Sequence, residues 1–376
     1  MNTSTPRLFI AATRQNEGKT TTSLGLASAL QKHYPRIGYI KPVGQRFIEV
    51  ETQKIDEDII LMDRVYRLNC PLADMSPIAV DPEFTRKYLQ KSNREELVQR
   101  IEEAFDRVAW EKEFVICEGS GHAGVGSVFD LSNARVAKLL GAKVIIVSQG
   151  GIGKPIDEVC LNQALFRQEQ VEVIGVILNK VLPEKLEFIR KFARQGLERQ
   201  GLELLGVLPL RPILSSPTLE LIREELNAKP LNQSTQYQNL VEEVVVGAMS
   251  VRSALSYFKK GVLVITPGDR EDILLAAATT MSGQGGDGLA GIILTGGQRP
   301  SPSVMRVVEA LPFPVLAIDA ESYRVASKVH DLTVKTRPAD TAKIGVIRDL
   351  ISRHVDVERI LAAVTPGRTK KPSVSG

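Results

Sequence analysis

Cysteine is scarce in this chain. Three of 376 residues, Cys70, Cys117 and Cys160, are too few and too scattered for a disulfide framework or a cysteine-based zinc site. Cys117 closes an apolar run and Cys160 lies in a helical pattern, so both are expected as buried packing residues. Histidine is nearly as rare, with four dispersed residues, of which His122 stands in a glycine-rich loop with no visible partner. No stretch approaches the roughly 18 to 20 apolar residues of a membrane span, and residues 1–6 run into the first strand without an apolar signal segment. An excess of one charge is also missing. The 48 basic and 44 acidic residues leave a formal +4, which gives neither nucleic acid nor a membrane surface a footprint. What remains is the composition of a cytoplasmic globular protein, 43% hydrophobic and 24% charged, long enough for two domains with separate cores.

What is present is concentrated near the start. Residues 7–30 read as a short apolar strand, a polar loop ending in Gly18-Lys19-Thr20, and a helix with Leu24, Leu26, Ala27 and Leu30 on an amphipathic pattern. This is the context of a phosphate-binding loop. Backbone N–H groups and the helix N-terminus would face an anion, Lys19 would reach the β- and γ-phosphates of a nucleotide, and the Thr20 hydroxyl would hold Mg²⁺. The loop is a variant, because the glycine usual six residues before the lysine is here Thr13.

Six apolar runs, at 8–12, 37–40, 114–117, 143–147, 173–178 and 203–208, alternate with helix-length segments. Strands apolar throughout are buried on both faces, which predicts an α/β fold with a parallel sheet and helices on each side. Ligands then bind beyond the carboxyl ends of the strands. Around 227–239 the chain turns polar and loses periodicity, as a linker would. The expected domains are therefore 1–230, a linker at 231–246, a smaller α/β domain at 247–363, and a disordered basic tail at 364–376.

Among residues after the strands, Lys41 is either a second cation for the phosphates or a solvated surface lysine. Glu118 ends a strand and opens a Gly-rich turn, the place of an acidic Mg²⁺ ligand. Asp56 and Asp58, in the polar stretch after the second strand, either add a further carboxylate to that metal, Asp58 being the candidate, or charge a solvated helix N-terminus. Asn179, followed by Lys180, carries an amide able to pair with a base edge.

These residues in this order resemble the dethiobiotin-synthetase-like family of phosphate-loop proteins, and more closely the amino-terminal, non-transferase region of long bacterial phosphate acetyltransferases. The carriers are the loop with Glu17-Gly18-Lys19-Thr20, Lys41-Pro42-Val43, Glu118-Gly119, Asn179 and the 206–212 segment containing Pro209. The resemblance implies a P-loop NTPase-type sheet with ATP and Mg²⁺ as cofactors. It places Thr13, Glu17, Gly18, Lys19, Thr20, Thr21, Asn179, Lys180 and Pro209 at the nucleotide, with Asn179 on adenine, and Thr20, Asp58 and Glu118 on the metal. Lys19, Lys41 and Glu118 would carry any catalysis. Arg14 stands where dethiobiotin synthetases have Asp, and 44–46 read Gly-Gln-Arg in place of a small serine-containing turn, so the diamine site does not carry over. Arg14 also occupies the place of the signature lysine of partitioning ATPases, to act across a dimer or to pair with its own Glu17.

A second resemblance covers about 251–334 and is to the domain named after Asp-Arg and Thr-Gly-Gly motifs, here Asp269-Arg270 and Thr295-Gly296-Gly297, each at a strand end. Two such ends side by side would offer free N–H groups and one arginine to a small anionic ligand, or would serve only as turns. Relatives use this domain in regulation and as dimers. The combined expectation is a homodimeric, Mg·ATP-dependent regulatory switch coupled to a ligand-sensing domain. The alternative is an ATP-dependent ligase that activates a carboxylate or carbamate. Acetyl transfer is not expected.

Overall fold

The computed structural model describes residues 1–279 and 288–365, which form two compact units. Met1–Leu210 and the chain from Thr336 onward make the first, and Arg211–Lys335 the second.

In the first unit the six apolar runs become one wholly parallel sheet. Its order is Leu204–Pro209, Val173–Val181, Lys143–Gln149, Arg7–Ala12, Phe114–Glu118, Ile37–Ile40. Every residue of Arg7–Ala12 is buried, as a central strand covered on both faces must be. The first strand in the chain lies in the middle, with later strands added on both sides of it. The loop after it therefore opens where the strand order reverses, the place at which such sheets bind ligands.

The helix that follows, Lys19–Leu30, is buried on nearly all sides, whereas the sequence pattern predicts an amphipathic one. The reason lies far along the chain. Thr341–His354 returns from the second unit and packs on it, so close that a Cβ on Gly25 would stand 2.1 Å from Ile351 Cγ1. The next helix, Val357–Val364, is anchored by Asp356 N–H to the Leu205 carbonyl at 2.9 Å and by Arg359 to Glu203 at 2.7 Å. Both helices were expected in the second domain; their apolar faces complete the first.

The second unit holds a five-stranded sheet in the order Lys229–Pro230, Val315–Ala317, Gly291–Thr295, Val262–Pro267, Glu243–Val246, with only Lys229–Pro230 antiparallel. Alternate residues of Val262–Pro267 feed two cores. Val262 and Val264 join Ile292 and Phe313 in one, while Leu263 and Ile265 join Leu219, Ile222 and Leu316 in the other. The expected boundary near 230 thus falls at Leu210, and helix Leu219–Leu226 belongs to the second unit.

The expected linker at 231–246 is a built part of that unit. Buried Asn232 donates to the carbonyls of Val308, Leu311 and Phe313 and accepts from Val315 N–H at 3.1 Å, and Glu243–Val246 is a sheet strand. Asn232 turns inward to satisfy backbone groups, while Gln233, Thr235, Gln236 and Gln238 stay exposed. The tail expected at 364–376 lies, from 366 on, outside the described residues. Cys117 is buried, its thiol pushed up to about 12 by that burial, but Cys160 is only partly covered. Among the described residues no helix is long and apolar enough to cross a membrane.

Candidate functional site

The loop turns into its helix through Gly18, whose φ of 99° requires glycine or strain. The first helical N–H groups, ahead of Thr22 N–H bonded to the Gly18 carbonyl at 2.9 Å, have no partner inside the helix. These groups and the ammonium of buried Lys19 make the positive end of the site. Burial lowers the pKa of Lys19; Glu118, Asp58 and Glu17 pull it back up while Lys41 pushes it down. An anion at the loop would relieve this cost.

Glu118, 1% exposed, ends its strand beside the loop. Its Oε1 accepts from the Thr20 hydroxyl at 2.9 Å, and its Oε2 from Ser23 at 2.5 Å and Tyr39 at 2.8 Å. Thr20 and Ser23 are three apart on one helix, hence on the same face. Burial and then Glu118 raise the pKa of Tyr39 well above its usual value, so it stays a proton donor. A hydroxyl and a carboxylate suit Mg²⁺, a hard ion that keeps several waters and takes oxygen ligands from bound phosphates. Among the described residues no group of three or more His, Cys, Asp or Glu side chains forms a self-sufficient metal cage.

Lys41 is not a solvated surface lysine. Its ammonium is buried and paired with Asp56, at 3.0 Å, and with Asp58. Burial works to lower its pKa, but Asp58, Asp56 and Glu118 outweigh that and hold it above the ordinary lysine range. Burial also raises Asp56, which Lys41 pulls down and Asp58 pushes up; its Oδ2 faces Gly44 without a hydrogen-bond partner. Asp58 does lie in the first turn of the helix Glu57–Tyr66, but it is buried and paired with Lys41, not solvated. Asp56 caps the helix Glu57–Tyr66 by accepting from Asp58 N–H.

Asn179 braces the loop from behind. Its Nδ2 donates to the Glu17 carbonyl at 2.9 Å, its Oδ1 accepts from Lys180 N–H at 2.8 Å, and a Cβ on Gly18 would stand 2.2 Å from Nδ2. One of the amide's two donors is thus spent on the loop. Lys180 donates from Nζ to the Asn16 carbonyl at 2.6 Å. Glu17 is buried and its Oε2 has no hydrogen-bond partner; burial raises its pKa, partly offset by Lys180. Thr13 shares a 3.1 Å hydrogen bond with Ser148, Thr21 is partly exposed, and Pro209 ends the edge strand beside Val181. Arg14 pairs with Glu158 at 2.5 Å and not with Glu17. His122 serves a turn, accepting at Nδ1 from Gly124 N–H at 3.2 Å.

The sequence reading missed Ser23 and Tyr39. Ser23 was within reach, one turn after Thr20. Tyr39 carried a weaker signal, a phenol in an otherwise apolar strand, which needs a buried partner.

In the second unit, the free N–H groups expected at the Gly-rich strand ends are spent. Gly296 N–H donates to the Ala320 carbonyl at 3.0 Å, Gly297 N–H to that of Ile318 at 3.3 Å, and Gly268 N–H to that of Thr295 at 3.0 Å. Arg270 pairs with Asp272 through two bonds, at 2.8 and 2.9 Å, and donates to the Gly247 and Met249 carbonyls. Thr295 is buried against the Thr266 carbonyl and the Ser322 hydroxyl. Asp269 is exposed. These hydrogen bonds hold the loops at the strand ends together.

The chain is 29% identical over 377 residues to a phosphate acetyltransferase of Synechocystis, covering 97% of this chain and 53% of that protein. It is 26% identical to one of Nitratidesulfovibrio vulgaris, covering 93% and 50%. It therefore spans about half the length of the curated relatives it matches. Among solved structures it is similar to the septum site-determining protein MinD of Pyrococcus horikoshii, complexed with Mg-ADP, at 16% identity, 56% and 83% coverage and a TM-score of 0.35. It is also similar to the CBS and DRTGG domains of a Clostridium perfringens pyrophosphatase complexed with diadenosine tetraphosphate, at 15% identity, 47% and 86% coverage and a TM-score of 0.27. Residues 221–332 match the DRTGG domain and residues 6–218 the AAA_26 family, an AAA domain. With its phosphate loop opening at the middle of a parallel sheet, the chain belongs to the AAA_26 family and carries a DRTGG domain after it.

Proposed function

We propose that the first unit binds ATP with Mg²⁺ and that the protein works as a nucleotide-dependent switch joined to its DRTGG domain. The observation that carries this is the pairing of Thr20 with Glu118 at 2.9 Å next to Lys19. A metal-holding hydroxyl and a buried carboxylate already share one side of a loop whose free N–H groups suit phosphates. Thr20 and Glu118 would hold the metal, which supplies positive charge to the phosphate oxygens when bound. Lys19 supports the same phosphates, and Asn179 keeps the loop in its binding shape.

Two measurements test the parts separately. Calorimetric titration of the protein with ATP, with and without Mg²⁺, should give Mg²⁺-enhanced binding that Lys19→Ala weakens; equal heats for protein and variant would remove the nucleotide reading. Amide hydrogen exchange over residues 211–335 should differ between the ATP-bound and ADP-bound protein. Identical exchange would leave binding standing and remove the switch.

A further inference from the structure

We propose that Ser23 and Tyr39 are positioning residues that aim Glu118 at the metal; this rests on the Mg·ATP reading above. The last torsion of a glutamate side chain is broad and sets no direction by itself. Here two hydroxyls fix it, Ser23 at 2.5 Å and Tyr39 at 2.8 Å, both on Oε2. Oε1 is left with Thr20, the residue that shares the metal. The two hydroxyls come from different elements, the loop helix and the strand Ile37–Ile40, so the carboxylate is braced from two directions.

The chemistry of these donors matters as much as their place. Among the described residues no lysine, arginine or histidine forms an ion pair with Glu118, although Lys41 is close enough to feel its charge. Neutral hydroxyls favour the ionised carboxylate without cancelling its charge. A contacting ammonium would compete with the divalent ion. Packing alone does not account for the hydroxyls, because phenylalanine and alanine fill the same space, and a fully buried phenol is costly unless bonded.

The test compares Tyr39→Phe and Ser23→Ala with the unsubstituted protein. ATP affinity is measured calorimetrically in EDTA and across a Mg²⁺ titration, alongside thermal unfolding. Metal-free ATP affinity should be unchanged, while the Mg²⁺ concentration at half-enhancement rises about 10-fold, the scale of losing a partner behind a metal ligand. A parallel loss of both affinities, or an unmoved Mg²⁺ midpoint in a variant that melts normally, overturns the positioning role. Should Tyr39→Phe fail to fold, Ser23→Ala decides. An unsubstituted protein without Mg²⁺-enhanced ATP binding overturns the nucleotide reading and this role with it; enhancement that is the same in all three proteins overturns the role alone.

Discussion

Lys19 is buried and its charge is disfavoured where it stands, which makes it the residue with the most to gain from a phosphate. Lys19→Ala should weaken ATP by about 2 to 4 kcal/mol, the scale of a charge-assisted contact in a partly desolvated site. The calorimetric titration above reads this directly. Glu17 makes the opposite demand, because its raised pKa means that folding favours the neutral form. Its folded pKa lies above its ordinary 4.5, so its contribution to stability is intact below 4.5 and is lost as pH rises through the folded value. Glu17→Gln should therefore melt higher than the unsubstituted protein at neutral pH and equal to it below 4.5. A difference that does not vary with pH would show that the charge is not responsible. At this scale the sequence was most legible where chemistry is local. Gly18, Lys19 and Thr20 follow from one contiguous motif, and Glu118 from its place at a strand end. Arg270 was expected beside Asp269 or a ligand but bonds Asp272, and Lys41 was read without Asp56; tertiary pairing decides both.

Among the elements, the contact between Lys19–Leu30 and Thr341–His354 is the tightest constraint on the site. A methyl group at Gly25 meets Ile351 Cγ1 at 2.1 Å and the Ile347 carbonyl at 3.1 Å. Overpacking costs about 1 to 3 kcal/mol, and alanine's better helix propensity returns about 0.5 to 1. Gly25→Ala should thus lose up to roughly 2.5 kcal/mol in denaturant unfolding. Ile351→Ala should restore part of this in the double variant, since the two changes share one contact. Additive losses would show that the helices do not meet there. The sheet strands were legible because parallel, doubly covered strands read as continuous apolar runs. This helix pair was not, since sequence proximity assigned it to the neighbouring domain. Polar composition misled at 231–246, where Asn232 and its carbonyl partners turn a loop-like sequence into structure.

For the whole molecule, the second unit is an insertion in the first, leaving at Leu210 and returning at Thr336. A fragment of residues 211–335 holds both of its cores and should unfold cooperatively on its own. A fragment of 247–363 should not, because it lacks the strand Glu243–Val246 and helix Leu219–Leu226 and carries two helices that belong elsewhere. Circular dichroism melts of the two fragments distinguish these outcomes; a broad, non-cooperative melt for 211–335 would refute the division. The same interleaving imposes an order on synthesis. A ribosome completes the loop, its helix and all six strands of the first sheet before it has made Ile351, so the Gly25 face waits uncovered while the whole second unit is translated and folded. Nascent chains, and chains that end before Thr341, therefore leave the Gly25 face of this helix without the partner that covers it in the finished molecule.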